Sequence, residues 1–184
     1  ENIRLLNNAM RVTGEYTDEA SQSMRLFADN LAKVTTYSDD AILQSLALGK
    51  TFGLSNQEAK KLAATAADLA AFTGQDLASA TQVLAATYNG FVNRELKHMD
   101  LAFAGLTKTQ LENGAAIDLV AKKLKGSAAD AIGTFAGQQA QRQKEFEDFE
   151  KAIGGVLNNI KLTWFRWGKD IVGYTKDAFA AIKR

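Results

Sequence analysis

Residues 69–90 read LAAFTGQDLASATQVLAATYNG. Alanine and leucine fill both arms of the stretch, and Thr-Gly-Gln-Asp separates them. Upstream, Leu62, Leu69 and Phe72 recur at helical spacing, with Ala59, Ala63, Ala66 and Ala70 beside them. Downstream, Leu77, Ala80, Leu84, Tyr88 and Phe91 make a second apolar face. The reading is two helices joined with almost no spacer. Small side chains let such helices approach toward the lower end of the ~8–10 Å range of axial distances. No pair of residues in the stretch can carry chemistry.

The same punctuation recurs along the chain. A Ser or Thr followed three residues later by an acid or amide predicts a capping box, in which each side chain satisfies a free backbone N–H. Ser55 to Glu58, Thr73 to Asp76, Thr107 to Gln110 and Ser127 to Asp130 fit that pattern, and Ser38 stands before Asp39 and Asp40 as a further cap. Helix stops are expected at Gly53, Asn89-Gly90, Gly105 and Gly126. The predicted helices run over 2–13, 16–35, 39–51, 56–72, 75–89, 92–103, 108–125 and 128–183, with an interruption of the last near Gly133 and Gly137 as the alternative to a continuous helix. No proline interrupts them and no cysteine is present, so disulfides and thiolate metal sites are excluded. The expected fold is all-α. A compact array of short Ala-rich helices over 1–137 forms a multi-helix domain, followed by a long amphipathic, coiled-coil-like C-terminal helix over 138–184.

That last segment carries its own pattern. Phe146, Phe149, Ile153, Val156, Ile160, Trp164, Trp167, Ile171, Tyr174 and Ala178 step by threes and fours, close to two steps per heptad. A helix of this length would extend about 70 Å at ~1.5 Å per residue. Its apolar stripe is expected to meet another copy, another protein or a membrane surface. The alternative is a break at Gly154-Gly155 or Gly168 that folds the helix back. Residues 151–184 hold seven basic and two acidic side chains, +5 in all, which leaves −4 for residues 1–150. A basic end can meet nucleic acid, anionic lipid or an acidic protein, or simply form a solvated helix face.

Candidate chemistry is sparse. Gly49-Lys50-Thr51 resembles the end of a phosphate-binding loop, but Gln44 stands where that loop needs glycine and no strand precedes it. His98 is the lone histidine and is expected at the surface or in packing, since a cysteine-free metal site needs more ligands. Glu145, Glu147, Asp148 and Glu150 are interleaved with basic residues and read as a salt-bridged helix surface. Trp164-Phe165-Arg166-Trp167 suits a membrane interface, although both tryptophans belong to the stripe. No catalytic residue, cofactor or metal site is expected. Glu1 opens without a basic region or an apolar core of a leader, and without an initiating methionine, as expected of a segment of a longer chain.

The run YSDDAILQSLALGKTFGLSNQEAKKLAATAADLAAFTGQDLASATQVLAATYNG, residues 37–90, resembles the tail tape measure proteins of bacteriophages and prophages. The matching elements are Gly53-Leu54-Ser55, Leu69-Ala70-Ala71, Thr73-Gly74-Gln75-Asp76-Leu77, Ala80, Leu84 and Asn89-Gly90. LENGAAIDLVAKKLKGSAADAIGTFAGQ, residues 111–138, and FEDFEKAIGGVLNNI, residues 146–160, are similar to the same family, with Gly126-Ser127 as a joint. Residues 91–103 depart from the pattern. The resemblance implies a helical virion structural protein lying in the tail lumen or at its tip, after assembly in the host cytoplasm. Its length would set tail length during tail assembly, and it would assist DNA ejection through the host envelope. Implied partners are a second copy, tail tube and tail-tip proteins and the host membrane, with no sequence-specific nucleic acid binding. A membrane-active translocator or pore-forming module is the alternative function, and a cell-wall-degrading module a third.

Overall fold

The computed structural model describes residues 1–99 and 101–134. All regular structure among them is helical: α1 Asn2–Val12, α2 Asp18–Lys33, α3 Asp39–Thr51, α4 Asn56–Thr73, α5 Leu77–Thr87, α6 Arg94–Met99, α7 Lys108–Glu112, α8 Ala115–Leu124 and α9 Ser127–Ala131, with a 3-10 turn at Leu101–Gly105. The expected all-α array of short helices is therefore present. The helix over 138–184, its apolar stripe, the Trp164 to Trp167 motif and the carboxylates at 145–150 lie outside the described residues.

Helix α4 is the hub. It packs against α3, α5, α8 and α9, and more lightly against α2. Ala59, Ala63, Ala66, Ala67 and Ala70 are all buried on it, so small residues face several neighbours at once. Leu62 and Leu69 are buried among them, each worth roughly 1.5–3 kcal/mol of burial. Helix α3 forms the second layer of the core and is covered by α1 on one side and α2 on another. Its Gly49 passes close to α4: a Cβ there would stand 3.2 Å from Ala59 Cβ and 3.2 Å from Leu62 Cδ2. Between α3 and α5 a buried hydroxyl pair, Ser45 Oγ and Thr81 Oγ1, lies at 2.8 Å. Thr81 gives its proton to Leu77 O at 2.7 Å, so the Ser45 hydroxyl is the donor across the helices.

Two departures from the predicted elements have physical causes. The helix expected over 92–103 is α6 followed by the 3-10 turn. The helix expected over 108–125 is two, because Asn113 closes α7 and Gly114, at φ +80°, starts α8. Gly126, at φ +93°, opens α9, which ends at Ala131 beside the expected interruption at Gly133, whose N–H closes a turn on Asp130 O at 3.0 Å.

Two aromatics expected on apolar faces are exposed. Phe72 is 61% and Phe91 63% exposed. Ten residues beyond Leu62 at ~100° per residue, Phe72 stands about 80° round α4 from it. Phe91 follows Gly90, whose φ of +79° turns the chain away from α5 before the ring can reach the core.

Candidate functional site

Among the described residues, those singled out from the sequence are helix joints, and the structure gives all but Ser127 a part in stopping or starting a helix. Ser55 Oγ accepts from Glu58 N–H at 3.3 Å, and Glu58 Oε2 accepts from Ser55 N–H at 2.8 Å, a complete capping box. The Ser55 hydroxyl, donating to Glu58 Oε2 at 2.7 Å, and then the Ser55 N–H hold the Glu58 carboxyl below the usual glutamate range. Thr107 and Gln110 close the same box at the start of α7. Ser38 caps α3 through Ala41 N–H at 3.2 Å, with Asp39 and Asp40 in the positive first turn.

Two expected caps are corrected. Thr73 does not start a helix; it is the last residue of α4, and its hydroxyl donates to Leu69 O at 2.8 Å. Gly74 follows at φ +75°, a conformation that a side chain would strain, and its N–H donates to Ala70 O at 2.9 Å. Asp76 is the true cap of α5: its Oδ1 accepts from Ser79 N–H at 2.8 Å and its Oδ2 accepts from the Ser79 hydroxyl at 2.7 Å. Both bonds lower the Asp76 pKa. The second correction is Ser127, the first residue of α9, which makes no side-chain cap. Asp68 of α4 does that work from sixty positions away, its Oδ1 accepting from Ala128 N–H at 3.0 Å. At the end of α5, Asn89 N–H donates to Ala86 O at 3.1 Å and Gly90 N–H to Thr87 O at 2.9 Å, closing the turn that the sequence announces.

The sequence reading passed over Lys50. The side chain of this lysine, in the Gly49-Lys50-Thr51 run, is wholly buried near the C-terminal end of α3. Its Nζ donates to Glu15 Oε2 at 2.8 Å and to Leu54 O at 2.5 Å. Glu15 Oε2 also accepts from Asn56 N–H at 2.8 Å, in the first turn of α4. The Lys50 hydrogen bond pulls the Glu15 pKa down. A signal was present: Ile42, Leu46, Gly49 and Lys50 share the spacing of one helical face, so position 50 falls among buried residues.

A shallow hollow of about 380 Å³ lies at the α4–α5 joint, lined by Phe72, Thr73, Gln75, Glu95, His98 and Met99. His98 is exposed there, and its Nε2 accepts from Arg94 Nε–H at 3.0 Å, which matches its expected surface position. Tyr88 is half-buried between α5 and the α7–α8 joint: a Cβ at Gly114 would lie 3.0 Å from its hydroxyl oxygen. Burial, with the charges of Glu58 and Asp118, pushes the Tyr88 pKa up to about 12. Among the described residues no group of three or more His, Asp or Glu is placed to hold a metal ion, and no helix is long and apolar enough to cross a membrane. The self-association residues Phe146, Phe149, Ile153, Val156, Ile160, Trp164, Trp167, Ile171 and Tyr174 lie outside the described residues.

Comparison with protein-family models, with curated proteins and with solved structures returns no match to this chain.

Proposed function

We propose that this chain is a non-enzymatic structural region of a phage tail tape measure protein. One observation carries the reading: the residues that bear the resemblance act as joints and core contacts. Leu54, Leu69, Leu77, Ala80 and Leu84 are buried, while Ser55, Gly74 and Asp76 set where helices stop and start. These are the parts of a scaffold whose output is shape and length. In this reading the stripe from Phe146 to Tyr174 joins copies into an oligomer, and the assembly lies in the tail lumen or at its tip. There it meets tube and tip proteins, and on infection the host envelope.

The decisive experiment is genetic. The complete open reading frame and its neighbours should be those of a tail module. In-frame removal of residues 1–184 should shorten or abolish tails in electron micrographs; tails of unchanged length and number overturn the proposal. Light scattering of the chain tests its self-association part. A mass that is a multiple of 19.9 kDa is expected, and a helical monomer at high concentration rejects that part. Strong binding to anionic vesicles at low salt, without self-association, favours the membrane-active reading of the basic end.

A further inference from the structure

Helix α1 packs on α3, whereas α3, α4 and α5 all pack on one another. The core contribution of α1 is two buried side chains, Leu6 and Met10. Half-buried Ile3 and Tyr16 also pack against the core, Asn7 Oδ1 accepts from the Ser21 hydroxyl of α2 at 2.7 Å, and the α1 end of the chain is tied to α3 and α4 by further polar contacts. Asn2 Oδ1 accepts from the Gln44 amide of α3 at 3.3 Å. Glu15, in the turn after α1, holds both Lys50 of α3 and the Asn56 N–H of α4 through the same oxygen. The Glu15 backbone carbonyl also accepts from Asn56 Nδ2 at 3.3 Å. The turn that presents Glu15 is fixed by Glu15 N–H donating to Met10 O at 2.9 Å.

The pair is asymmetric in a way that matters. The Lys50 side chain is 0% exposed and the Glu15 side chain 38%. Solvent protons reach the carboxylate, while the ammonium cannot reach water unless the turn carrying Glu15 moves away. A buried cation that loses its counter-ion is strongly destabilising, and local opening of the segment that carries the counter-ion relieves it. We propose that Glu15 and Lys50 form an acid-released latch, and that protonating Glu15 lets α1 and its following turn lift from α3 while α3, α4 and α5 stay folded. Release uncovers the α3 face that holds Lys50 and the apolar residues beneath α1.

The groups facing Glu15 are Lys50 from α3 and, from α4, the Asn56 N–H and the Glu58 carboxylate, whose charge is felt at Glu15's distance. Because the folded Glu15 pKa is lowered, the latch is fully closed above the ordinary glutamate value. Its hold is lost as pH falls through the lowered one.

Amide hydrogen exchange on the full chain tests this, with rates corrected for intrinsic pH dependence between about pH 7 and about pH 3, spanning the glutamate range. Residues 2–12 should lose protection by more than about tenfold while α4 and α5 keep theirs. Glu15→Gln should free residues 2–12 already at neutral pH. The double variant Glu15→Leu with Lys50→Met, which has neither charge, should keep them docked in acid. Simultaneous loss across α1, α4 and α5 in the wild type overturns the latch. So does an unaltered acid release in the double variant. If Glu15→Gln does not fold, the wild-type profile still decides.

Discussion

Gly49 and Ala59 meet where α3 crosses α4, and a Cβ on Gly49 would lie 3.2 Å from the Ala59 Cβ and 3.3 Å from its Cα. Backbone stands behind the contact, so it yields little. Gly49→Val should destabilise the unit by about 1–3 kcal/mol, the usual effect of overpacking. Gly49→Ala should do less, because the gain of up to ~1 kcal/mol in helix propensity offsets part of the clash. Urea titration of both variants checks the order. A Val variant as stable as wild type contradicts the close approach.

The two halves of the Lys50–Glu15 pair should not respond alike. Glu15→Ala leaves a buried ammonium with only Leu54 O and should cost about 3 kcal/mol or more. Lys50→Met keeps the buried volume and leaves a carboxylate that reaches solvent and still takes the Asn56 N–H. Its effect should be the smaller by at least about 1 kcal/mol. Chemical denaturation of the two single variants measures the difference directly.

Asp68→Ala removes the acceptor at the start of α9 and should lower stability by about 1 kcal/mol, as loss of a helix cap does. Exchange protection should fall at residues 127–131 and hold in α4. Asp68→Asn, which retains an oxygen acceptor, should restore most of it.

Tyr88 gives an alkaline signature. Its neutral form is favoured in the folded chain, with a pKa pushed up to about 12. The folded state therefore holds the phenolic proton longer than the unfolded state does. The associated stability is present below the ordinary tyrosine value near 10 and is lost as pH rises through the folded value. Ultraviolet titration should show Tyr88 ionising last, or only with unfolding. Tyr88→Phe should remove that late step.

Much of the fold was legible because local signals agree. Ser38, Ser55 and Thr107 sit before acids or amides and cap helices as read. The misread joints have causes that lie beyond a few residues. Ser127 looks like a cap, but Gly126 already occupies that place and Asp68 supplies the acceptor from another helix. Thr73 competes with Asp76 three residues further along the same joint, and the stronger acceptor wins by bonding both the backbone and the hydroxyl of Ser79. Asn113-Gly114 was a turn signal inside an otherwise helical run, and the helix divides there. Lys50 was passed over because lysine is ordinarily exposed, and its counter-charge lies thirty-five residues earlier. Of the candidate sites, the joints could be read; the stripe over 146–174 is outside the described residues.

The cap that Asp68 provides for α9 orders events in time. A ribosome makes Asp68 sixty residues before Ala128. The hub helix can settle against α3 and α5 while α9 is still unsynthesised, and its Asp68 then stands ready as an anchor for α9. Helix α9, with Ala128 buried in the same core, is the last of the described helices to be made, and truncations that remove it should loosen α4 while the α3–α5 packing remains.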